Sequence, residues 1–240
     1  MTEEEPAGDA PRRRASDRGR YGRLTRERVL DTALALVDRD GLGGLSMRRL
    51  GAELGVEAMT LYRYAPGKEA LLDGMVEAFS RELDQLLSEG EPAGGTDELP
   101  AWERELQRIA EATYQVAMRH PHVVPLLATR LLSTPLARRP AAVLNGDERI
   151  LARLHEAGVT GERAVAVHRA FTAWLLGYLL VELRAMDDDP DEPEPAFRLG
   201  LHRLPAADFP RLRETAPALA GTGGPPQLAA GLTALLAPYR

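Results

Sequence analysis

Residues 46–64 constrain this chain more than any other stretch. They read Ser-Met-Arg-Arg-Leu-Gly-Ala-Glu-Leu-Gly-Val-Glu-Ala-Met-Thr-Leu-Tyr-Arg-Tyr. Ser46 is a helix-capping residue type, because its hydroxyl accepts from a first-turn amide that no carbonyl reaches. Leu50 and Leu54 follow at helical spacing. Gly55 then ends the helix, since glycine takes the left-handed closing conformation without a steric penalty. Val56 serves as a buried plug, and a second short helix is expected over 58–64. Gly51 is small where the two helices approach. Leu50, Leu54, Val56 and Leu61 form the buried seam, which leaves Thr60, Tyr62, Arg63 and Tyr64 on the other faces. Two short helices joined by a tight turn make a helix-turn-helix, although the turn alone also fits an ordinary helical hairpin. The second helix fits the major groove of B-DNA, about 12 Å wide.

The flanking sequence extends the pattern. Val29, Leu30, Ala33, Leu34, Leu36 and Val37 share one helical face, Thr25 can cap its start and Gly41 its end. Pro66-Gly67 is a break. A longer helix is expected over 68–87, with Leu71, Leu72, Met75, Val76, Phe79, Leu83 and Leu86 inward. Further helices are expected near 99–119, 122–132, 140–157, 160–185, 208–215 and 227–237. Pro121, Pro135 and Gly158 punctuate them, and an acidic, proline-rich loop lies at 187–195. No strand pattern or internal repeat survives, so the fold class is all-α. The expected organisation is a disordered basic arm over 1–22, a helix-turn-helix domain over 23–68, a connecting helix and linker over 69–95, and a helical effector-binding and dimerisation domain over 96–240.

Charge divides along the same lines. The formal net charge of −6 hides a basic stretch from Arg12 to Lys68, with 13 Lys+Arg against 7 Asp+Glu. The first eleven residues and everything after Lys68 are net acidic. A basic segment on an acidic body suits an encounter between one end and a polyanion, while uneven surface charge is the plainer reading. The absence of cysteine excludes disulfides, thiolate metal sites and a cysteine nucleophile. The acidic, apolar-poor start does not read as a secretory signal. The apolar run 170–181 is too short to span a bilayer. The expected location is therefore the cytoplasm, with no membrane partner.

Residues 24–87 resemble the DNA-binding domain of the tetracycline-repressor family of bacterial regulators. The resemblance rests on Gly-Leu-Gly-Gly-Leu-Ser-Met-Arg-Arg-Leu-Gly-Ala-Glu-Leu-Gly-Val, on Thr-Leu-Tyr-Arg-Tyr and on Lys-Glu-Ala-Leu-Leu. The later part resembles that family's effector domain through Arg119-His120-Pro121, residues 154–158, Ala170-Phe171-Thr172-Ala173 and Leu176-Gly177-Tyr178. The resemblance implies a ligand-responsive repressor that binds a palindromic operator as a homodimer and is released by a small-molecule effector. It implies DNA contacts from Ser46, Arg48, Ala58, Met59, Thr60, Tyr62, Tyr64 and Lys68. Arg48 is carried over as a reader of guanine, whose two acceptors match a bidentate guanidinium. Thr60 and Met59 suit a base edge or a thymine methyl. Ser46, Tyr62, Tyr64 and Lys68 suit phosphate, while Ser46 also reads as a plain helix cap and Tyr64 as half core. Ala58 matches a reading position without offering a hydrogen bond. Ala58 and Met59 depart from the more polar readers of the tetracycline repressor itself, so its operator is not carried over.

An effector pocket is expected among the helices at 99–185, with His120, His122, Leu126, Phe171, Trp174 and Tyr178 as candidate liners, although aromatic residues at this spacing also suit plain core. No cofactor and no metal are expected: Pro121 makes His120-x-His122 read as a local turn. The resemblance also places Val181 where the namesake keeps a metal-binding carboxylate, with Glu182 one place away. The apolar faces of the 160–185 helix call for more than one cover, and the resemblance implies a dimer interface shared with the last helix. Competing readings are an activator of the same fold, a helical adaptor that has lost DNA binding, and a helical hydrolase. No nucleophile elbow, phosphate loop or coherent triad supports the last, so no enzyme is expected.

Overall fold

The structure, a computed structural model, describes residues 24–89, 99–183, 200–219 and 223–240. The expected arm over 1–22, most of the expected linker and the acidic loop at 187–195 lie outside the described residues. Among the described residues all regular structure is helical, as the periodicity anticipated.

The first unit is made of α1 (Arg26–Asp40), α2 (Met47–Leu54) and α3 (Ala58–Leu61), followed by α4 (Lys68–Glu89). Thr25 caps α1 by accepting from the Arg28 amide. Gly41 ends it at φ 69°, where a side chain would strain the backbone. Val29, Leu30, Ala33, Leu36 and Val37 turn inward against α4, where Leu71, Leu72, Met75, Val76 and Phe79 are buried. The close approach depends on Gly74: a Cβ there would lie 2.2 Å from a methyl of Leu30.

The effector body contains α5 (Ala101–Arg119), α6 (Val124–Ser133), α7 (Ala141–Glu156) and α8 (Gly161–Glu182), then α9 (Pro210–Glu214), α10 (Ala216–Leu219) and α11 (Gly224–Leu236). Helix α4 reaches it as well, packing on α5, α6 and α7. Two expectations need correction. The helix expected at 122–132 opens as a separate 3-10 turn, Pro121–Val123, because Pro121 and Pro125 withhold the amides a continuous α-helix would use. The helix expected at 208–215 is two shorter pieces, with the turn at Thr215 taking the carbonyl of Arg211.

Helix α8 extends well beyond the apolar run within it. Its 22 residues are long and apolar enough to cross a bilayer by length and composition, which the 170–181 run alone is not. Ala164, Val167, Phe171, Leu175 and Leu179 bury one face in the body. The opposite face, through Val165, Arg169, Ala173, Gly177 and Val181, is exposed.

One polar contact closes the body. Glu103 is fully buried, and both its oxygens accept from the Arg240 guanidinium at 2.8 and 2.6 Å. Arg163 donates to the Tyr239 carbonyl beside it. A buried carboxylate without its cation is costly, whereas a neutral isostere is not. Arg240→Ala is therefore expected to lower the Tm, and adding Glu103→Gln to recover part of the loss. Calorimetry on the two variants checks this; a double variant no more stable than Arg240→Ala would contradict it.

Candidate nucleic-acid interface

The geometry of the helix-turn-helix follows from a few local requirements. Ser46 Oγ accepts from the Arg49 amide at 3.2 Å and starts α2. Gly55 closes α2 in the left-handed conformation, φ 68° and ψ 28°. Gly51 faces the next helix, where a Cβ would lie 2.8 Å from the Val56 carbonyl oxygen and 3.2 Å from the Ala58 nitrogen. Leu50, Leu54 and Leu61 are buried, and Val56 is half-buried beside them. The expected seam is thus present. Helix α3 is shorter than the expected 58–64, because the Arg63 and Tyr64 amides bond to Thr60 and Leu61 in tighter turns ahead of Pro66.

The exposed surface carries most of the residues expected to meet DNA. Met59 is 74% exposed and Tyr62 46%, with Arg48 and Lys68 also exposed. Ala58 and Thr60 are half-buried on the same short helix. Charges here are sorted. Arg39 donates to Glu53 at 3.0 Å, and that bond holds the Glu53 carboxyl below its ordinary range. Arg49 bonds Asp40 at 2.6 Å and the Gly44 carbonyl at 3.1 Å. Arg49 thus ties α2 to the end of α1. Arg48, Arg63 and Lys68 make no ion pair or hydrogen bond with the described residues. Three cations stand free beside an Asp40 and a Glu53 that are already paired. Glu57, at the head of α3, caps nothing with its side chain. Its acceptor oxygens complement the cytosine amino group, a capacity the sequence reading passed over.

Tyr64 departs from its expected phosphate role. Its hydroxyl donates to the Leu24 carbonyl at 3.0 Å, and its ring packs on the core. Its single hydroxyl proton is thereby committed to fastening the segment before α1.

The candidate effector liners do not form one site. His120 lies between the two units, its Nδ1 2.7 Å from Asp38 on α1 and its Nε2 2.8 Å from Glu82 on α4. His122 is exposed, on the far side of the Pro121 turn. Leu126 and Phe171 are buried core residues. Trp174 and Tyr178 pair at 5.4 Å between centroids and pack on α11, where a Cβ on Gly231 would lie 2.7 Å from the indole. The Tyr178 hydroxyl donates to the Gly224 carbonyl at 2.8 Å. Its phenol is pushed up by burial and by the nearby Glu182 carboxylate, which favours the donor form. Glu182 in turn accepts from the Gly223 and Gly224 amides and so starts α11. A cleft of about 600 Å³ lies elsewhere, between α1 and α4, lined by Glu27, Asp31, Arg81, Glu82 and Arg119 among others. Among the described residues no group of three or more His, Asp or Glu side chains is placed to hold a metal.

Sequence reasoning missed the residues that join the two units. Besides His120, Arg130 on α6 bonds Asp73 at 3.1 Å and Glu69 at 2.5 Å, both on the first turns of α4. These partners are 57 and 61 positions apart in the chain, so no local pattern announces them.

Comparison with known proteins agrees with this architecture. Residues 29–75 match the model for bacterial regulatory proteins of the tetR family, and residues 92–237 match that of the tetracyclin repressor-like C-terminal domain. The chain is 33% identical over 164 residues to the HTH-type transcriptional repressor DrrR1 of Streptomyces coeruleorubidus, which covers 68% of this chain and 56% of that protein. The match thus spans little more than half of that relative's length. A possible TetR family transcriptional regulator from Streptomyces coelicolor superposes with a TM-score of 0.71 at 27% identity, covering 90% of this chain and 98% of its own. The Streptomyces coelicolor protein ActR in complex with actinorhodin shares the fold, with a TM-score of 0.67 at 23% identity over 90% of this chain and 96% of its own.

The Tyr64 bond gives a direct test of its structural role. Tyr64→Phe is expected to cost about 0.5–1.5 kcal/mol of stability, the worth of one intramolecular hydrogen bond. The salt dependence of DNA binding should stay unchanged, since no phosphate contact is lost. Denaturant titration and binding at several salt concentrations check the two halves.

Proposed function

The chain belongs to the tetR family of bacterial regulatory proteins, and from that membership we propose that it is a homodimeric repressor whose paired helix-turn-helix units occupy a palindromic operator until a small-molecule effector releases them. The observation that carries this reading is the charge sorting on α2, α3 and the start of α4. Glu53 and Asp40 beside the reading face are bonded to Arg39 and Arg49, while Arg48, Arg63 and Lys68 project without partners among the described residues. Arg48 reads guanine, and Thr60 and Met59 meet base edges or a thymine methyl. The Ser46 hydroxyl, Tyr62 and Lys68 hold the backbone phosphates. Ala58 lets the helix backbone approach the groove floor closely.

The dimer rests on α8 and α11. The exposed α8 stripe of Val165, Ala173, Gly177 and Val181 lies on a helix packed against α11, whose own exposed positions include Ala230 and Ala234. Small residues let helices approach closely, so this face suits a four-helix interface with a second copy. The pairing sets two reading helices about 34–36 Å apart, one turn of duplex. An effector that prefers a different spacing shifts the population away from the bound state. ActR, solved in complex with actinorhodin, shows that a protein of this fold takes a small-molecule ligand. The regulator works on DNA and so belongs in the cytoplasm.

The experiment is a gel-shift titration with the chain's own upstream DNA and with random competitor. Specific retardation is expected. Arg48→Ala should weaken it by about 1–3 kcal/mol and relax preference at one position per half-site. Ala173→Glu should yield monomers by light scattering and lose the palindromic complex. Equal affinity for specific and random fragments would overturn the reading.

A further inference from the structure

We propose that Asp38, His120 and Glu82 form a proton-linked latch between the helix-turn-helix unit and the effector body. His120 terminates α5, and its ring spans the gap to α1 and α4. Both ring nitrogens face carboxylate oxygens, at 2.7 Å from Asp38 and 2.8 Å from Glu82. A carboxylate only accepts, and a neutral imidazole carries one N–H. Two good contacts therefore need a proton on each nitrogen. With one proton gone, a nitrogen lone pair points at a carboxylate and one contact becomes repulsive.

The two carboxylates differ in what else compensates them. Glu82 also accepts from Arg119 on α5 at 2.9 Å. Asp38 does not: its second oxygen, Oδ1, is buried with no hydrogen-bond partner. Its charge therefore depends on His120, and the α1 side of the latch fails when the proton leaves. The other charged groups around the ring are already engaged. On α4, Arg81 pairs with Glu27 and Asp31 of α1. On α6, Arg130 pairs with Glu69 and Asp73. His122, on the same turn as His120, is exposed. The ring itself keeps 14% of its surface open, enough for its proton to exchange with bulk water.

Doubly protonated, the ring donates to both carboxylates, and neutral it can donate to only one, so acid favours the latch and alkali opens it. Histidine is the side chain whose ordinary titration falls between about pH 5 and 8. The latch fixes α1, and with it α2 and α3, to the end of α5. Opening it loosens the spacing of the two reading helices in the dimer, so operator affinity falls as pH rises. This last step rests on the function proposed above; the latch itself does not.

The test uses the full chain at constant ionic strength, from about pH 6 to about pH 8, across the histidine range. Hydrogen exchange of α1 and the end of α5 reads the latch without DNA, and fluorescence anisotropy on the upstream fragment reads its effect. Once exchange is corrected for its intrinsic base catalysis, wild-type protection of α1 and operator affinity are both expected to fall with rising pH, by up to about tenfold per pH unit for one linked proton. His120→Gln and Asp38→Asn should both flatten the two profiles. His168→Gln, which removes a histidine contact to Asp147 inside the effector body, should keep the wild-type slopes. Identical pH slopes in wild type and in both latch variants would overturn the proposal. If no fragment is bound at any pH, the repressor reading fails and the exchange profiles still decide the latch.

Discussion

The structure depends on one helix serving two cores. Helix α4 buries Leu71, Leu72, Met75, Val76 and Phe79, packing on α1 on one side and on α5, α6 and α7 on others. A helix with apolar residues around much of its circumference must be covered on more than one face. That requirement joins the helix-turn-helix unit to the helical body that follows it through one continuous helix. Gly74 shows how tight the fit is, since Leu30 fills the space a side chain would take. Any change in how the body holds α4 is therefore passed directly to α1, α2 and α3.

Around this shared helix, polar contacts fix the angle that apolar packing leaves soft. Arg130 holds the first turns of α4, Arg149 reaches Asp84 farther along, and His120 bridges Glu82 to Asp38 on α1. Hydrophobic burial is non-directional and tolerates small rotations. Paired charges do not, because their strength falls with distance and alignment. The core keeps the units together while a few breakable bonds choose the angle.

The reading face follows a different logic. Its Glu53 and Asp40 are paired with neighbouring arginines, which leaves Arg48, Arg63 and Lys68 uncommitted among the described residues. The opposite end of the molecule keeps an uncovered face on α8 next to α11. One surface thus suits phosphate and base edges and the other suits a second copy. A two-fold regulator needs both.

Much of this was legible in the chain itself. Caps at Thr25 and Ser46, the turn at Gly55 and the periodicity of α1, α4 and α8 depend on neighbours within a few residues, so local physics determines them. Contacts across the chain were not legible. His120 and Tyr64 are the clearest cases: one suggested a pocket and the other a phosphate, and each is instead fastened to a partner 82 or 40 positions away. Trp174 and Tyr178 likewise pack on α11, far along the chain. The sequence by itself determined an all-helical chain with a glycine-turned reading motif at one end. Tertiary structure alone decided which polar side chains stay free and which are committed to holding the units together, because that depends on distances between segments that no short-range pattern encodes.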